Sequence, residues 1–179
     1  WTNLQYRLSL FYIFAVSGSD RVAGKTGAAA TFSFTTTAAG ALAAGSRITL
    51  SYPSGFFATS ATPAGAVSTG GASLTPISPP GATSIVITTA GTTLAASTAV
   101  TVTLTGLTMG GVTAGSASGI TISTSADVVS SVGISSGAIG GQVTGASFGI
   151  ASGDRVAGKT GAAATFSFTT TAGGALVAG

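Results

Sequence analysis

The side chains that could do acid–base chemistry in this 179-residue sequence are three aspartates, Asp20, Asp127 and Asp154, because glutamate, histidine and cysteine are all absent. General acid–base catalysis needs a titratable group beside the reacting proton, which His, Glu and Asp usually supply. Without His or Cys, neither a Ser–His–Asp nor a Cys–His arrangement can be built. Zinc lacks its usual ligands, and isolated acids do not offer the six to eight oxygens that calcium takes. We expect no enzyme, no catalytic residue, no cofactor and no metal.

One stretch has the spacing of a phosphate-binding loop. Residues 153–160 read GDRVAGKT, which satisfies G-x-x-x-x-G-K-T. That loop works because a helix follows it and directs its amides at the phosphates. Residues 161–171 alternate as a strand does, and Ser19 replaces the leading glycine in a related stretch near the N-terminus. The pattern therefore favours a glycine-rich turn between two strands.

Lysine–aspartate pairs within these turns suggest a second chemistry. Lys25 with Asp20, and Lys159 with Asp154, could cross-link covalently as in some bacterial pilins. That reaction uses another buried acid, for which Asp127 is the remaining candidate. A surface ion pair is the interpretation we favour.

The composition indicates a folded protein with an unusual surface. Charged residues make up 5% of the chain, against about 25% in ordinary soluble domains, whereas 45% are hydrophobic. Disordered chains show the reverse balance. A surface with so little charge is hard to keep soluble unless hydroxyls and attached glycans hydrate it, or neighbouring copies bury it. Both alternatives favour an extracellular or cell-surface protein.

The charge pattern and the apolar runs exclude two classes of partner. The six Lys and Arg side chains are scattered, without the basic stripe and interleaved aromatics of a nucleic-acid-binding surface. The longest apolar run, residues 8–16, is shorter than the ~20 residues that a bilayer requires. We expect no nucleic-acid partner and no membrane span.

An internal repeat organises the chain. Residues 20–37 and 154–171 both read DRVAGKTGAAATFSFTTT, and the match continues to Gly45 and Gly179 with two differences. The offset of 134 residues has the size of an independent domain rather than of a solenoid repeat. We therefore expect residues 1–150 to form one repeat and residues 151–179 to open a second, incomplete one.

Strand signals dominate within one repeat. In residues 31–37, Phe32 and Phe34 fall on one face, as a half-buried strand requires. Similar patterns, rich in Thr and Val, mark residues 47–52, 84–89, 99–107, 119–125, 128–134 and 143–150. Short strands separated by Gly- and Pro-rich turns predict an all-β fold, an immunoglobulin-like β-sandwich, with a barrel or β-helix as the alternative.

The N-terminal segment is apolar on both faces, which leaves two interpretations of it. It is either a central strand of its own domain, covered on both sides, or residues 1–13 form an exchanged or covering strand that adds to a neighbouring subunit.

Hydroxyl and proline side chains are the candidate modification sites. No N-glycosylation sequon exists, since the single asparagine, Asn3, precedes Leu-Gln. Ser and Thr beside Pro in an extended loop resemble O-glycosylated stalks, and the Ser-Pro-Pro run resembles hydroxyproline-bearing modules of algal and plant walls. The candidates for O-glycosylation or proline hydroxylation are Thr35, Thr36, Thr37, Thr75, Ser78, Pro79, Pro80 and Thr83.

The segments ATFSFTTT, GSRITLSYPSGF, SIVITT and AVTVTLTGL resemble tandem immunoglobulin-like repeats of extracellular surface and fibre proteins, of the adhesin, cell-wall glycoprotein or flagellar-hair type. The resemblance implies a mechanical, spacing or adhesive role and supplies no functional residues.

Two functions from different classes follow. The first is a structural subunit of an extracellular filament or surface fibre, glycosylated and packed head to tail against other copies of itself. The alternative is an adhesive binding module on a repetitive stalk. Sugar-binding sites usually combine exposed aromatics with acids or amides, and here the aromatics read as structural, which favours the first.

Overall fold

The computed structural model describes residues 9–59, 62–68, 70–141 and 143–170, which are all-β with no α-helix. The short 3₁₀ turns in these residues are far from the length that would let a helix cross a membrane. These described residues contain ten strands: β1 (Ser9–Val16), β2 (Thr26–Thr35), β3 (Arg47–Ser51), β4 (Ala64–Val67), β5 (Ala72–Ile77), β6 (Ser84–Gly91), β7 (Ala99–Thr108), β8 (Thr121–Thr124), β9 (Thr144–Ile150) and β10 (Ala164–Thr169).

The strands form three antiparallel sheets. The first has the order β1-β2-β7-β4, the second β5-β6-β3-β8, and the third contains only β10 and β9. The first two sheets contribute to one hydrophobic core, an arrangement consistent with a β-sandwich. We call these two sheets the sheet pair, and the third sheet the hairpin.

Alternation of apolar and hydroxyl side chains explains the pairing of β2 with β7. Phe32 and Phe34 are almost completely buried on the inner face. On the outer face, the hydroxyl of Thr31 lies 3.1 Å from that of Thr103, and Ser33 lies 2.8 Å from Thr101. Rows of hydroxyls therefore hydrate a surface that carries almost no charge, while the period of two keeps the aromatic rings inside.

Aromatic rings gather at one end of the core. Phe56 lies 5.9 Å from Phe14 and 4.9 Å from Phe57, and Tyr52 lies 5.0 Å from Phe57, all edge to face. The buried Tyr52 hydroxyl is shared between the carbonyl oxygens of Gly81, at 2.9 Å, and Ser84, at 3.1 Å. The phenol therefore ties the start of β6 to the end of β3.

The apolar strand β1 lies at the edge of the first sheet, so the expectation of a central strand is wrong. It pairs with β2 of the same chain, with Phe14 opposite Phe32. The alternative of an exchanged strand concerned residues 1–13. Of these, residues 9–13 belong to β1, and residues 1–8 lie outside the described part of the chain.

A strand expected at residues 128–134 is not formed. Ile134 makes a bridge to Ile120, but the Ser131 side chain accepts the Ile122 N–H at 3.0 Å, where a strand would offer a backbone carbonyl. This local side-chain bond replaces the regular ladder. Val128 is consequently 75% exposed.

Strands β4 and β5 were not expected. The Ser and Thr residues beside proline were expected in an extended loop, but β5 covers residues 72–77 and places Pro76 at a sheet edge, where proline is tolerated. In β4, a Cβ at Gly65 would lie 2.6 Å from the Ile77 side chain. The small residue lets β4 and β5, from opposite sheets, approach closely.

The hairpin repeats the local structure of β1 and β2. A 3₁₀ turn follows β1 at Gly18–Asp20 and follows β9 at Ser152–Asp154. Phe148 pairs with Phe166 as Phe14 pairs with Phe32, at the 134-residue offset. The two copies differ in burial: Phe166 is 64% exposed, whereas Phe32 is 0% exposed.

Replacement of Phe32 by alanine should destabilise the sheet pair by about 3–5 kcal/mol, since a buried ring leaves a cavity. The matched variant Phe166→Ala, in identical local sequence, should leave the urea midpoint of the sheet pair unchanged because its ring is exposed. Equal losses in the two variants would contradict the assignment of the first copy to the core and the second to the surface.

Burial raises the pKa of Tyr52 to about 12. The unfolded chain releases this proton near pH 10, so between about pH 10 and 12 the folded state binds more protons and its stability falls as pH rises. Phenolate absorbance should show a late-titrating component, and Tyr52→Phe should remove both that component and the associated alkaline stability loss. A Tyr52 that ionises near pH 10 would refute this.

Candidate functional site

Asp127 holds two loops together. Its carboxylate accepts hydrogen bonds from the Thr37 hydroxyl and, at 3.2 Å, from the Thr37 N–H. Its own N–H donates to the Thr124 hydroxyl at 2.8 Å. A Cβ at Gly40 would collide with this carboxylate at 2.2 Å. The side chain therefore clasps the start of the β2–β3 connection to the end of β8, which is a structural role.

The other two aspartates cap equivalent turns. Asp20 accepts the Ala29 N–H at 3.2 Å, and Asp154 accepts the Ala163 N–H at 3.3 Å. Lys159 lies 3.5 Å from Asp154, which is the surface ion pair favoured by the sequence. Within the described ranges, no three potential metal-ligating side chains cluster.

The GDRVAGKT segment is a turn. Its first residues belong to the 3₁₀ helix Ser152–Asp154, and the next regular element is the strand β10. In residues 161–170 a strand rather than a helix follows Thr160, so the helix N-terminus that would direct its amides at a phosphate is not formed there.

Arg21 makes long-range contacts that sequence reasoning missed. Its Nε donates to the Val16 carbonyl at 3.2 Å, where β1 ends. One terminal nitrogen donates to the carbonyls of Ser136, at 2.8 Å, and Ala138, at 3.2 Å. Loss of surrounding water lowers the pKa of Arg21, yet a guanidinium stays charged at neutral pH. The available signal was an arginine conserved between the two copies of a nearly uncharged sequence.

Backbone hydrogen bonds reinforce the same junction. Ala23 N–H donates to the Gly140 carbonyl, and Gly140 N–H donates to the Arg21 carbonyl, both at 2.9 Å. Val22 and Gly140 thereby form a parallel bridge. Residues 135–140, which we call the exit segment, are fastened beside the turn that joins β1 to β2.

The chain therefore enters and leaves the sheet pair at opposite ends. Ser9, the first residue of β1, lies opposite Thr35, the last residue of β2. Gly140 lies beside Val22, beyond the other end of β1. Units joined through these two points would follow one another along a line.

The hairpin carries an uncovered apolar face. Phe148 is 67% exposed and Phe168 is 38% exposed, and with Phe166 they share this face. On the opposite face the Ser147 and Ser167 hydroxyls lie 2.6 Å apart. In the first copy, β7 pairs with β2 along the edge that corresponds to the outer edge of β10. The described residues of the hairpin thus expose phenylalanine side chains at positions that are buried or half-buried in the first copy.

The candidate modification sites differ in accessibility around the end of β2. Thr36 is 1% exposed, and its hydroxyl donates to the Ala95 carbonyl at 2.9 Å and accepts the Thr98 N–H at 3.0 Å. Thr37 is buried against Asp127, and Thr35 is half-buried. A glycan on Thr36 or Thr37 would require these hydrogen bonds to break.

The second group of candidates offers more exposed positions. Thr75, on the edge strand β5, is exposed, as are Pro79 and Thr83. Ser78 is half-buried and its hydroxyl accepts the Val86 N–H at 2.9 Å, while Pro80 is buried. Three accessible candidates, Thr75, Pro79 and Thr83, thus lie on the edge strand β5 or in the loop that connects β5 to β6.

Comparison of the chain with models of known families, with curated proteins and with solved structures finds no match.

Replacement of Asp127 by alanine should lower the free energy of unfolding by about 1–3 kcal/mol, because the buried Thr37 N–H and hydroxyl lose their acceptor. Asp154→Ala, which removes a partly exposed carboxylate from the hairpin, is the control and should leave the unfolding of the sheet pair unchanged. Urea denaturation measures both. A midpoint for Asp127→Ala equal to that of the parent would show that the clasp adds nothing.

Proposed function

We propose that the chain is a structural subunit of an extracellular filament or surface fibre, built from stacked immunoglobulin-like β-sandwich repeats. The observation that carries this proposal is the path of the chain, which runs along β1 from Ser9 to Val16 and leaves the sheet pair beside Val22, at the end of β1 opposite to Ser9. A polymer of such units extends without folding back on itself, as a spacer or fibre requires.

The hairpin supports the proposal as the opening of a second unit. Arg155 Nε donates to the Ile150 carbonyl at 3.0 Å, as Arg21 Nε does to Val16. Together with the equivalent turns and four residue pairs in the same register, this supports residues 151–170 as the start of a second unit. In the proposed array, residues 1–150 are one repeat and residues 151–179 begin the next.

Burial of the exposed phenylalanine face of the hairpin would favour assembly of the array. Burial of a Phe side chain contributes about 1.5–3 kcal/mol relative to exposure, and Phe148 and Phe166 remain mostly exposed. In the proposed fibre this face is covered by the rest of a second unit, supplied by other copies packed head to tail. Heterologous contacts of that kind leave open ends and build filaments rather than rings.

The surface chemistry suits an extracellular position. Hydroxyl pairs such as Ser33–Thr101 hydrate the outer face of the first sheet, in a chain with only 5% charged residues. Covalent O-glycans would add hydration at Thr75 or Thr83, and hydroxylation at Pro79, where the side chains are exposed.

The distribution of aromatic rings favours the structural role over the adhesive alternative. In the sheet pair, the described aromatic side chains are buried or half-buried, including Tyr52, Phe56 and Phe57. Among the side chains that the structure describes, the exposed rings belong to the hairpin, where Phe166 and Phe168 match the core positions Phe32 and Phe34 of the first copy. Stacking on a sugar would need exposed rings on the sheet pair itself.

Electron microscopy of material purified from its natural source tests this function. We expect fibres with an axial repeat of about 35–45 Å or its double, since a ten-residue strand such as β2 spans ~33 Å at ~3.3 Å per residue and turns add to it. Separate globular particles would contradict the proposal.

Double substitutions in β10 test whether the hairpin mediates association of the chains. Phe166→Lys with Phe168→Lys should abolish concentration-dependent association in sedimentation velocity, because charge on the apolar face opposes its burial. The matched pair Thr165→Lys with Ser167→Lys, on the opposite face, should retain association. A parent chain that stays monomeric at every concentration would count against head-to-tail packing.

A further inference from the structure

An axial pull on this chain would act at two defined points of the sheet pair. Force from the N-terminal side acts on β1 at Ser9, and force from the C-terminal side acts on the chain after Gly140. Because these points lie at opposite ends, the pull runs along β1. The antiparallel hydrogen bonds between β1 and β2 stand perpendicular to the strands, so they are loaded together rather than one after another.

The exit segment is held in the same manner. It runs parallel to residues 21–23, and two hydrogen bonds of 2.9 Å connect Gly140 to Arg21 and Ala23. Thr113 and Ile139 exchange a further pair, at 3.0 and 2.9 Å. Tension beyond Gly140 therefore acts on several hydrogen bonds at once.

Arg21 connects the two loaded elements directly. Its guanidinium reaches Val16 at the end of β1, and Ser136 and Ala138 in the exit segment. The side chain packs against Gly137, where a Cβ would lie 2.5 Å from a guanidinium nitrogen and where φ is +67°. Only glycine suits this position, on grounds of both space and backbone conformation.

We infer that the Arg21 side chain and the exit segment form a tension-bearing clamp, which fastens the strand by which the chain enters the unit to the segment by which it leaves. Load passes from β1 through the guanidinium to residues 136–138, so the clamp must break before the core is sheared. The inference extends the proposed structural role to the bearing of force. It concerns a single chain, so its failure and the failure of filament formation are separate results.

The second copy provides an internal comparison. Arg155 occupies the same turn and makes the same bond to the end of its strand, at Ile150. Its described hydrogen bonds include none to an exit segment, in contrast to Arg21. Arg155→Ala is therefore a matched control with the same chemical change in the same local sequence.

Constant-force unfolding of the full chain, held by its two ends, tests the clamp. Forced unfolding is governed by the unfolding rate. Arg21→Ala should raise the unfolding rate of the sheet pair by about tenfold or more at a given force, because charge-assisted hydrogen bonds are lost. Arg21→Lys should be intermediate, since an ammonium lacks the planar fork. Gly137→Ala should act like Arg21→Ala, and Arg155→Ala should leave the rate unchanged.

A second pulling direction separates a clamp from general stabilisation. The chain contains no cysteine, so Ala44→Cys with Thr83→Cys provides unique attachment points on exposed residues, and this load bypasses Arg21. The clamp predicts a larger rate increase from Arg21→Ala when the ends are pulled than in this second direction. Equal increases in both directions, or no increase with pulling at the ends, would overturn the inference.

Discussion

Burial of the phenylalanine face of β2 is the interaction on which the rest of the structure depends. Phe32 and Phe34 are covered because β7 pairs along one edge of β2, β1 along the other, and the second sheet closes over the rings. In the described part of the chain, the same sequence in β10 pairs with β9 alone, and there Phe166 is largely exposed. The same sequence is thus buried in β2 and largely exposed in β10. The free energy gained by burying the exposed copy is the driving force that we propose for assembly.

The small number of charged side chains affects both the outer surface of the first sheet and the contacts between loops. Hydroxyls such as Ser33 and Thr101 pair across the outer face, where many proteins place ion pairs. The contacts of the few charged side chains are therefore informative. Arg21 bonds three backbone carbonyls, and Asp127 bonds the Thr37 backbone and hydroxyl. These contacts fasten loops to one another, so the few charged side chains of the sheet pair that make long-range contacts hold its connections in place.

Strands with strict alternation were predictable from sequence, and strands fixed by tertiary contact were not. The all-β class and β2, β3, β6 and β7 follow from period-two patterns. Strand β4 escaped notice because Gly65 is set by its close approach to Ile77, which no local pattern reveals. Residues 128–134 have an apolar pattern, but the Ser131 side chain occupies the ladder position. The role of Arg21 depends on carbonyls more than a hundred residues away.

Amide hydrogen exchange of β10 in the free chain and in the assembled fibre tests the central claim most directly. Protection reports the free energy of local opening, and β2 provides the reference for the same sequence in a completed sheet. We expect β10 amides to exchange rapidly in the free chain and to become as protected as those of β2 in the fibre. If β10 in the fibre exchanged as rapidly as in the free chain, the hairpin would not be the surface that assembly completes, and the account would be contradicted.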